Sequence, residues 1–497
     1  MAAATTTRQV SAFKRWMKSQ GIDCSDALQI CDCPIQGISV TALRDISEGD
    51  VVATIPKLAC LTVQTTGARD LIEASYLDGN LALSVAIMYE RSLGQRSPWA
   101  PYLNVLPYQE CLPFVWTPQE VKTLLCGTEL RKTVKEEQVL MCVDWEVDIL
   151  PLLESESCQL DPSFFGLQDY FAAKSLVHSR SFMIDDDFHG AGMVPLVDLF
   201  NHKTAAEDVH FTSVTFDSES DSEADDGQMN GHSYTYAYND KKYELEPTPI
   251  SPTDDFPSDW GDEPVPMEMI MVKDVKAGSE VYNTYGPLGN AALLQMYGFT
   301  EPDNPYDTVN IDMEIVLEWS SSLISSTRLS LWRKMGFSGC DCQDDEKFEI
   351  SFDGEPEIEL LILLYIMVLP EDAYHKLNSA VSKFVIFSRD QLMKGVGMEL
   401  LKGTSKPSRD MFVNKSVGNA LLSVTNIRES LYGSNSLEDD IEALERCCCV
   451  REKKLYHSLM LRICERRILQ KLRSYAAEAA HLKTSRRAST RKKSKKA

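Results

Sequence analysis

Apolar residues along this chain change their spacing several times, and each change marks an element. Phe13, Trp16 and Met17 recur at helical spacing, so 11–19 reads as a short helix with an aromatic face after a small, polar opening. Strand signals follow at 38–42 and 51–55, on either side of Glu48-Gly49-Asp50, and predict a hairpin that Pro56 ends. From residue 80 the period becomes helical: Leu81, Val85 and Met88 share a face, and Trp99, Tyr102, Leu103 and Leu106 follow among prolines. Charged amphipathic stretches fill 120–154, and a helix over 167–182 runs into Ser179-Arg180-Ser181-Phe182. The run 194–197 reads as a buried strand, 206–216 alternates as a strand does, and 267–272 resumes that pattern. Val281-Tyr282-Asn283 adds β character, and Asn290 reads as the N-cap of an apolar helix through Met296.

Beyond residue 302 the pattern is helical throughout, over 315–335, 358–369, 373–389 and 420–430. A last long stretch between 439 and 480 carries Leu461, Cys464, Ile468 and Leu472 on one face. This predicts a second, all-helical domain. A length of 497 residues suits more than one domain, and 43% hydrophobic residues suffice for a sizeable core.

Charge divides the chain differently. The net charge is -24, yet 217–263 holds fourteen acids against Lys241 and Lys242, while 483–497 holds eight Lys or Arg and no acid. An acidic body disfavours a sequence-independent grip on nucleic acid and attracts Lys-rich protein segments. The loop 217–266 is expected to be disordered, and the basic tail reads as an import signal, a nucleic-acid contact or a solvated end. The fourteen cysteines do not form a secreted disulfide framework. Cys31-x-Cys33, Cys340-x-Cys342 and Cys447-Cys448-Cys449 lack the paired four-ligand spacing of structural zinc, so no metal is expected. The longest apolar run, 360–369, is too short to span a bilayer, and no membrane association is expected.

Two stretches carry the candidate chemistry, GMVPLVDLFNH at 192–202 and GSEVYNTYGPLGNAALLQMYGF at 278–299. In the first, Asp198, Asn201 and His202 appear where a buried run ends, and such polar groups must find partners. In the second, Tyr285 and Tyr297 bracket one helix, where rigid elements present polar groups to a site. A turn cap and two core tyrosines would satisfy the same pattern. Read together, the stretches resemble the core of SET-domain protein methyltransferases, with an Asn-His pair after an apolar strand and a downstream Tyr-Gly. The chain as a whole resembles the branch of the Rubisco large-subunit lysine methyltransferase and its nuclear and ribosomal-protein-modifying relatives. The cysteine-rich zinc segments that flank the core in many histone-modifying relatives are missing.

That resemblance implies an α+β fold: a split, β-rich SET domain over 29–302 with a helical insert at about 75–170, and a helical substrate-binding domain over 303–482. The arm 1–28 precedes them and the tail 483–497 follows. It also implies S-adenosylmethionine as methyl donor and a lysine of a non-histone, nuclear or cytosolic protein as acceptor. Tyr285 would be catalytic, and Gln36, Gly37 and Ile38 would touch the donor through their backbone, although Ser39 stands where the family often has a second glycine. Arg180 would face the donor carboxylate, Asn201 its amino-acid tail and His202 its adenine end. Tyr297 and Phe299 would lie at the donor pocket, and Asp198 would help receive the substrate. Three alternatives stay open, a histidine acceptor, a non-catalytic scaffold and a nucleic-acid adaptor acting through the basic tail.

Overall fold

In the computed structural model, residues 7–33, 37–154, 160–184, 188–213, 265–320, 323–336, 346–384 and 409–481 are described. The chain divides into two units, Met1–Glu110 with Val139–Leu288, and Cys111–Gln138 with Gly289–Ala497. Gln36, most of the acidic loop, Cys340-x-Cys342 and the basic tail lie outside the described residues.

The first unit opens with the helix Arg8–Ser19, capped by the Thr7 hydroxyl, which accepts the Val10 N–H at 3.3 Å. Its buried face is Val10, Phe13, Trp16 and Met17. Among the described residues nine strands follow: β1 (Asp23–Cys24), β2 (Leu28–Cys33), β3 (Gly37–Ala42), β4 (Val51–Ile55), β5 (Leu61–Thr62), β6 (Ser181–Ile184), β7 (Gly190–Met193), β8 (Val209–Ser213) and β9 (Met267–Met271). They form three antiparallel sheets, ordered β1-β4-β9-β8, β2-β3 and β5-β7-β6. In β9 the methionines at 267, 269 and 271 are buried and the residues between them are not, the period-2 signature of a half-buried strand.

Two expectations fail here. β3 and β4 do not form a hairpin, because β3 pairs with β2, while β4 pairs with β1 and β9. The turn between them is drawn elsewhere: the Gly49 N–H donates to Met271 O at 2.8 Å, and the Ala42 N–H to Ser279 O at 2.9 Å. The apolar run at 194–197 is not a strand either. β7 stops at Met193, because Pro195 has no N–H for the ladder, and a turn with one 3-10 loop, Val197–Leu199, follows. Val194, Leu196 and Val197 are nevertheless fully buried, which is what their hydrophobicity reported.

Among its described residues the second unit is helical apart from a two-stranded ribbon, β10 (Val309–Asp312) with β11 (Lys347–Ile350). Its core gathers Trp332, Leu360, Leu363, Leu421, Leu469 and Leu472. The expected long last helix is two, Leu437–Arg446 and Lys453–His481, because Cys447-Cys448-Cys449-Val450 are weak helix formers and the Glu452 carboxylate accepts the Cys448 N–H at 3.0 Å. Asn290 is not an N-cap but the first residue of its helix; Asp307 does the capping, accepting the Asn290 N–H at 2.6 Å. Gly127, at φ +81°, lies so close to Tyr432 that a Cβ there would stand 2.6 Å from the Tyr432 Cα. Among the described residues no helix is long and apolar enough to cross a membrane.

Candidate active site

The site grows from the turn after β7. Leu196 takes φ 80° and ψ -46°, a conformation that costs a residue with a side chain about 1–3 kcal/mol. It bends the chain so that the Asp198 N–H reaches Val194 O at 3.3 Å, and Asp198 to His202 then leave the buried run together.

The segment 279–285 is threaded between this turn and β3. The Val281 N–H donates to Val40 O at 2.8 Å, the Asn283 N–H to Asn201 O at 2.9 Å, and the Asp208 N–H to Tyr282 O at 2.9 Å. Side chains tighten the seam. Asn201 Nδ2 donates to Glu280 Oε1 at 2.7 Å and to Ile38 O at 3.3 Å, which leaves Oδ1 as the group this amide offers as an acceptor. His202 Nδ1 accepts the Tyr285 N–H at 2.9 Å, so its neutral form carries the proton on Nε2, 3.3 Å from the Thr204 hydroxyl. The two rings stack, with centroids 5.0 Å apart and planes at 22°. The Tyr285 hydroxyl donates to Phe200 O at 3.1 Å.

Behind the turn lies a charge cluster, fully buried at Asp198 and part-buried at Arg180 and Glu110. Arg180, the last residue of the helix Leu167–Arg180, donates from Nε to Glu110 Oε1 at 2.7 Å and from Nη1 to Asp198 O at 2.7 Å. The Asp198 side chain is 0% exposed; its Oδ2 accepts the Tyr102 hydroxyl at 2.8 Å and lies 3.9 Å from Arg180 Nη1. Its Oδ1 has no hydrogen-bond partner. Burial pushes the Asp198 acid up to about 6, against the lowering effect of Arg180 and of the Tyr102 hydroxyl. Burial alone would lower the Arg180 guanidinium, but Glu110, Asp198 and Tyr285 together hold it above its usual value.

Of the residues singled out in the sequence, Gly37, Ile38, Arg180, Asp198, Asn201, His202 and Tyr285 lie in the first unit. Contacts join Ile38 to Asn201, His202 to Tyr285 and Arg180 to Asp198. Tyr297 and Phe299 belong to the second unit, with ring centroids 6.5 Å apart. Gly37 takes φ +83°, and nothing lies within 4 Å of where its Cβ would stand, so the backbone there is open to a ligand. Within the chain Arg180 spends its fork on Glu110, and the His202 ring is spent on Tyr285 and Thr204. Glu110, Tyr102 and Glu280 were not singled out for the site. Tyr102 carried only an apolar signal, and Glu280 only its position between Gly278 and Tyr285.

No family model matches the chain. It is similar to ribosomal lysine N-methyltransferase 3 of Saccharomyces cerevisiae, 25% identical over 385 residues, covering 67% of this chain and 70% of that protein. It is also similar to the N-lysine methyltransferase setd6 of Xenopus tropicalis, 27% identical over 329 residues, covering 62% of this chain and 61% of that protein. Among solved structures, Rubisco LSMT bound to AdoMet superposes with a TM-score of 0.63 at 20% identity, over 95% of this chain and 92% of that one. The SET domain of LSMT bound to lysine and AdoHcy gives 0.64 at 21% identity, over 95% and 91%. The fold is that of the Rubisco LSMT-like SET proteins, as the two motifs implied.

Proposed function

We propose that this chain, which resembles SET-domain lysine methyltransferases of the Rubisco LSMT-like branch, transfers a methyl group from S-adenosylmethionine to a lysine of a protein. The observation that carries the reading is the stitching of Asn201 and His202 onto 283–285, which fixes Tyr285 at one point of the first unit.

The residues present fit the donor. Gly37 leaves its backbone open, and the Asn201 Oδ1 is an acceptor suited to the ammonium of an amino-acid tail. S-adenosylmethionine, when bound, supplies a methyl group on a positively charged sulfur. The chain's own task is to present the acceptor nitrogen. A lysine has a reference pKa near 10.4, and its ammonium has no lone pair, so the proton must leave before transfer. A narrow, desolvated channel favours the neutral amine. The Tyr285 hydroxyl has directed its hydrogen at Phe200 O, which turns its oxygen outward as an acceptor for an N–H of that amine. The stack on His202 holds the phenol ring in place, and in-line transfer depends on such fixed positioning of the acceptor.

Asp198 and Arg180 act here as supports of the turn, with Asp198 Oδ1 buried and without a hydrogen-bond partner. The acceptor is a non-histone protein with an accessible Lys-rich segment, drawn by the acidic body, in the nucleus or cytosol. Calorimetric titration with S-adenosylmethionine, followed by transfer of tritiated methyl to a cell extract, tests the reading. Saturable binding and radioactivity recovered as methyl-lysine are expected; methyl-histidine, or no binding, overturns it. Tyr285→Phe is expected to keep donor affinity and lose at least about a hundredfold in turnover. Unchanged turnover would remove Tyr285 from its role.

A further inference from the structure

The aromatic face of the N-terminal helix ends on a residue that reaches the catalytic turn. The ring centroid of Tyr102 lies 5.9 Å from that of Phe13 and 6.1 Å from that of Trp16, the latter at an interplanar angle of 11°. Trp16 is itself pinned, donating from Nε1 to Pro98 O at 2.8 Å and packing on Trp99 with centroids 5.8 Å apart. Tyr102 is 0% exposed, so its hydroxyl must be satisfied within the protein. It does so 96 residues away, on Asp198 Oδ2 at 2.8 Å.

What Asp198 holds is the turn beneath Tyr285. The single 3-10 loop Val197–Leu199 follows a strained Leu196 and is too short to hold itself. It is anchored from outside at Asp198, by Arg180 on the backbone carbonyl and by Tyr102 on the carboxylate. Two residues on, Phe200 O receives the Tyr285 hydroxyl. A slack anchor at Asp198 therefore moves the group that aims the phenol.

We propose that Tyr102 is a positioning residue for methyl transfer: clamped by Phe13 and Trp16 of the N-terminal helix, its hydroxyl fixes Asp198 and so the carbonyl that orients Tyr285. The inference rests on the function proposed above. It makes the helix Arg8–Ser19 part of the catalytic apparatus without contact to either substrate.

A pH signature accompanies the geometry. The ionised Asp198 is the form that accepts from Tyr102 and faces Arg180; Glu110 faces it from beyond Arg180, Tyr285 faces Arg180, and Cys60 faces Tyr102. Because the Tyr102 hydrogen bond lowers the Asp198 pKa, its loss moves that ionisation to higher pH.

The test is Tyr102→Phe in the full chain, which keeps the ring and its stacking. Turnover at saturating tritiated S-adenosylmethionine, with cell extract as acceptor, is followed from about pH 5.5 to 9, beside calorimetric donor affinity. Hydrogen exchange of peptides covering 197–202 is measured on the ligand-free protein. The expected result is a turnover loss of roughly ten- to a hundredfold, donor affinity within about twofold of the parent, an acidic limb moved to higher pH, and faster exchange at 197–202. Parent-like turnover at every pH overturns the proposal. So does an equal loss at all pH values with weakened donor binding, the mark of a merely structural ring. Should the parent protein transfer no methyl group, the functional reading fails by itself, and the exchange measurement still decides the anchor: unchanged exchange at 197–202 sinks it.

Discussion

Each unit sets arginine and carboxylate groups beside a buried tyrosine, and the two clusters differ in where they lead. In the second unit Arg428, Arg462 and Arg466 lie 4.9, 5.8 and 5.4 Å from the centroid of the Tyr432 ring. Arg466 and Arg462 share Asp440 at 2.6 and 3.1 Å, and Arg428 meets Glu465 at 3.3 Å. Arg466 Nε donates to Glu429 at 2.8 Å, and further donors close on backbone, with Arg428 holding Asn310 O and Gly127 O and Arg462 holding Cys126 O and Tyr432 O. The cluster ends on itself. In the first unit a single arginine serves Glu110 and Asp198, and the line of contacts runs on through Phe200 O to Tyr285. The same residue types thus make a brace in one place and a lever in the other.

Three experiments press on that difference. The largest effect is expected for Arg428→Met, which takes one of two donors from the buried Glu465, the Tyr432 hydroxyl remaining, and removes the Arg428 hydrogen bonds to two part-buried carbonyls; it should cost about 3–5 kcal/mol in denaturant unfolding. A loss below about 1 kcal/mol would deny the brace its importance. Next comes the pH dependence of stability. Burial pushes Glu465 up to about 8, against the lowering effect of Arg428, from a reference of 4.5. The folded state then keeps a proton that the unfolded state releases, so stability falls as pH rises from about 4.5 to 8 and levels off above. For Asp198, raised from 3.8 to about 6, the corresponding fall ends two pH units earlier. Glu465→Gln should flatten the slope between pH 6 and 8, and Asp198→Asn only the part below 6; identical slopes in both variants would merge the two clusters into one behaviour. The smallest effect belongs to Thr117→Ala. Its loss from the capping box with Glu120 should cost about 1 kcal/mol, a local term that calibrates the network losses.

Elements were more legible than their pairings. Strand signals located β3, β4, β8 and β9 to within a few residues, because β-branched and other apolar residues gather in each between turn residues. Their partners were not legible, since β4 pairs with β9 at Ile55↔Met267, and nothing local in either strand specifies the other. The site divides in the same way. Asn201, His202 and Tyr285 stood out because each follows an apolar run or a turn signal, and the fold brings them together. Tyr102 and Glu110 did not, because their function lies entirely in partners 96 and 70 residues away. The apolar run at 194–197 was read as a strand because burial alone does not separate a strand from a buried turn; Pro195 was the discriminating residue.

The pairing of β4 with β9 also sets a timetable. During synthesis at about 5–20 residues per second, β4 leaves the ribosome roughly 10–40 s before the strand that completes its sheet has been made. For that interval β4 has only the two-residue β1 as a sheet neighbour, and an open edge with Val52, Ala53 and Ile55 beside it invites pairing with other nascent chains. A chain stopped before Met267 never leaves that state. Premature termination should therefore yield chaperone-bound or aggregated fragments rather than a soluble half-enzyme.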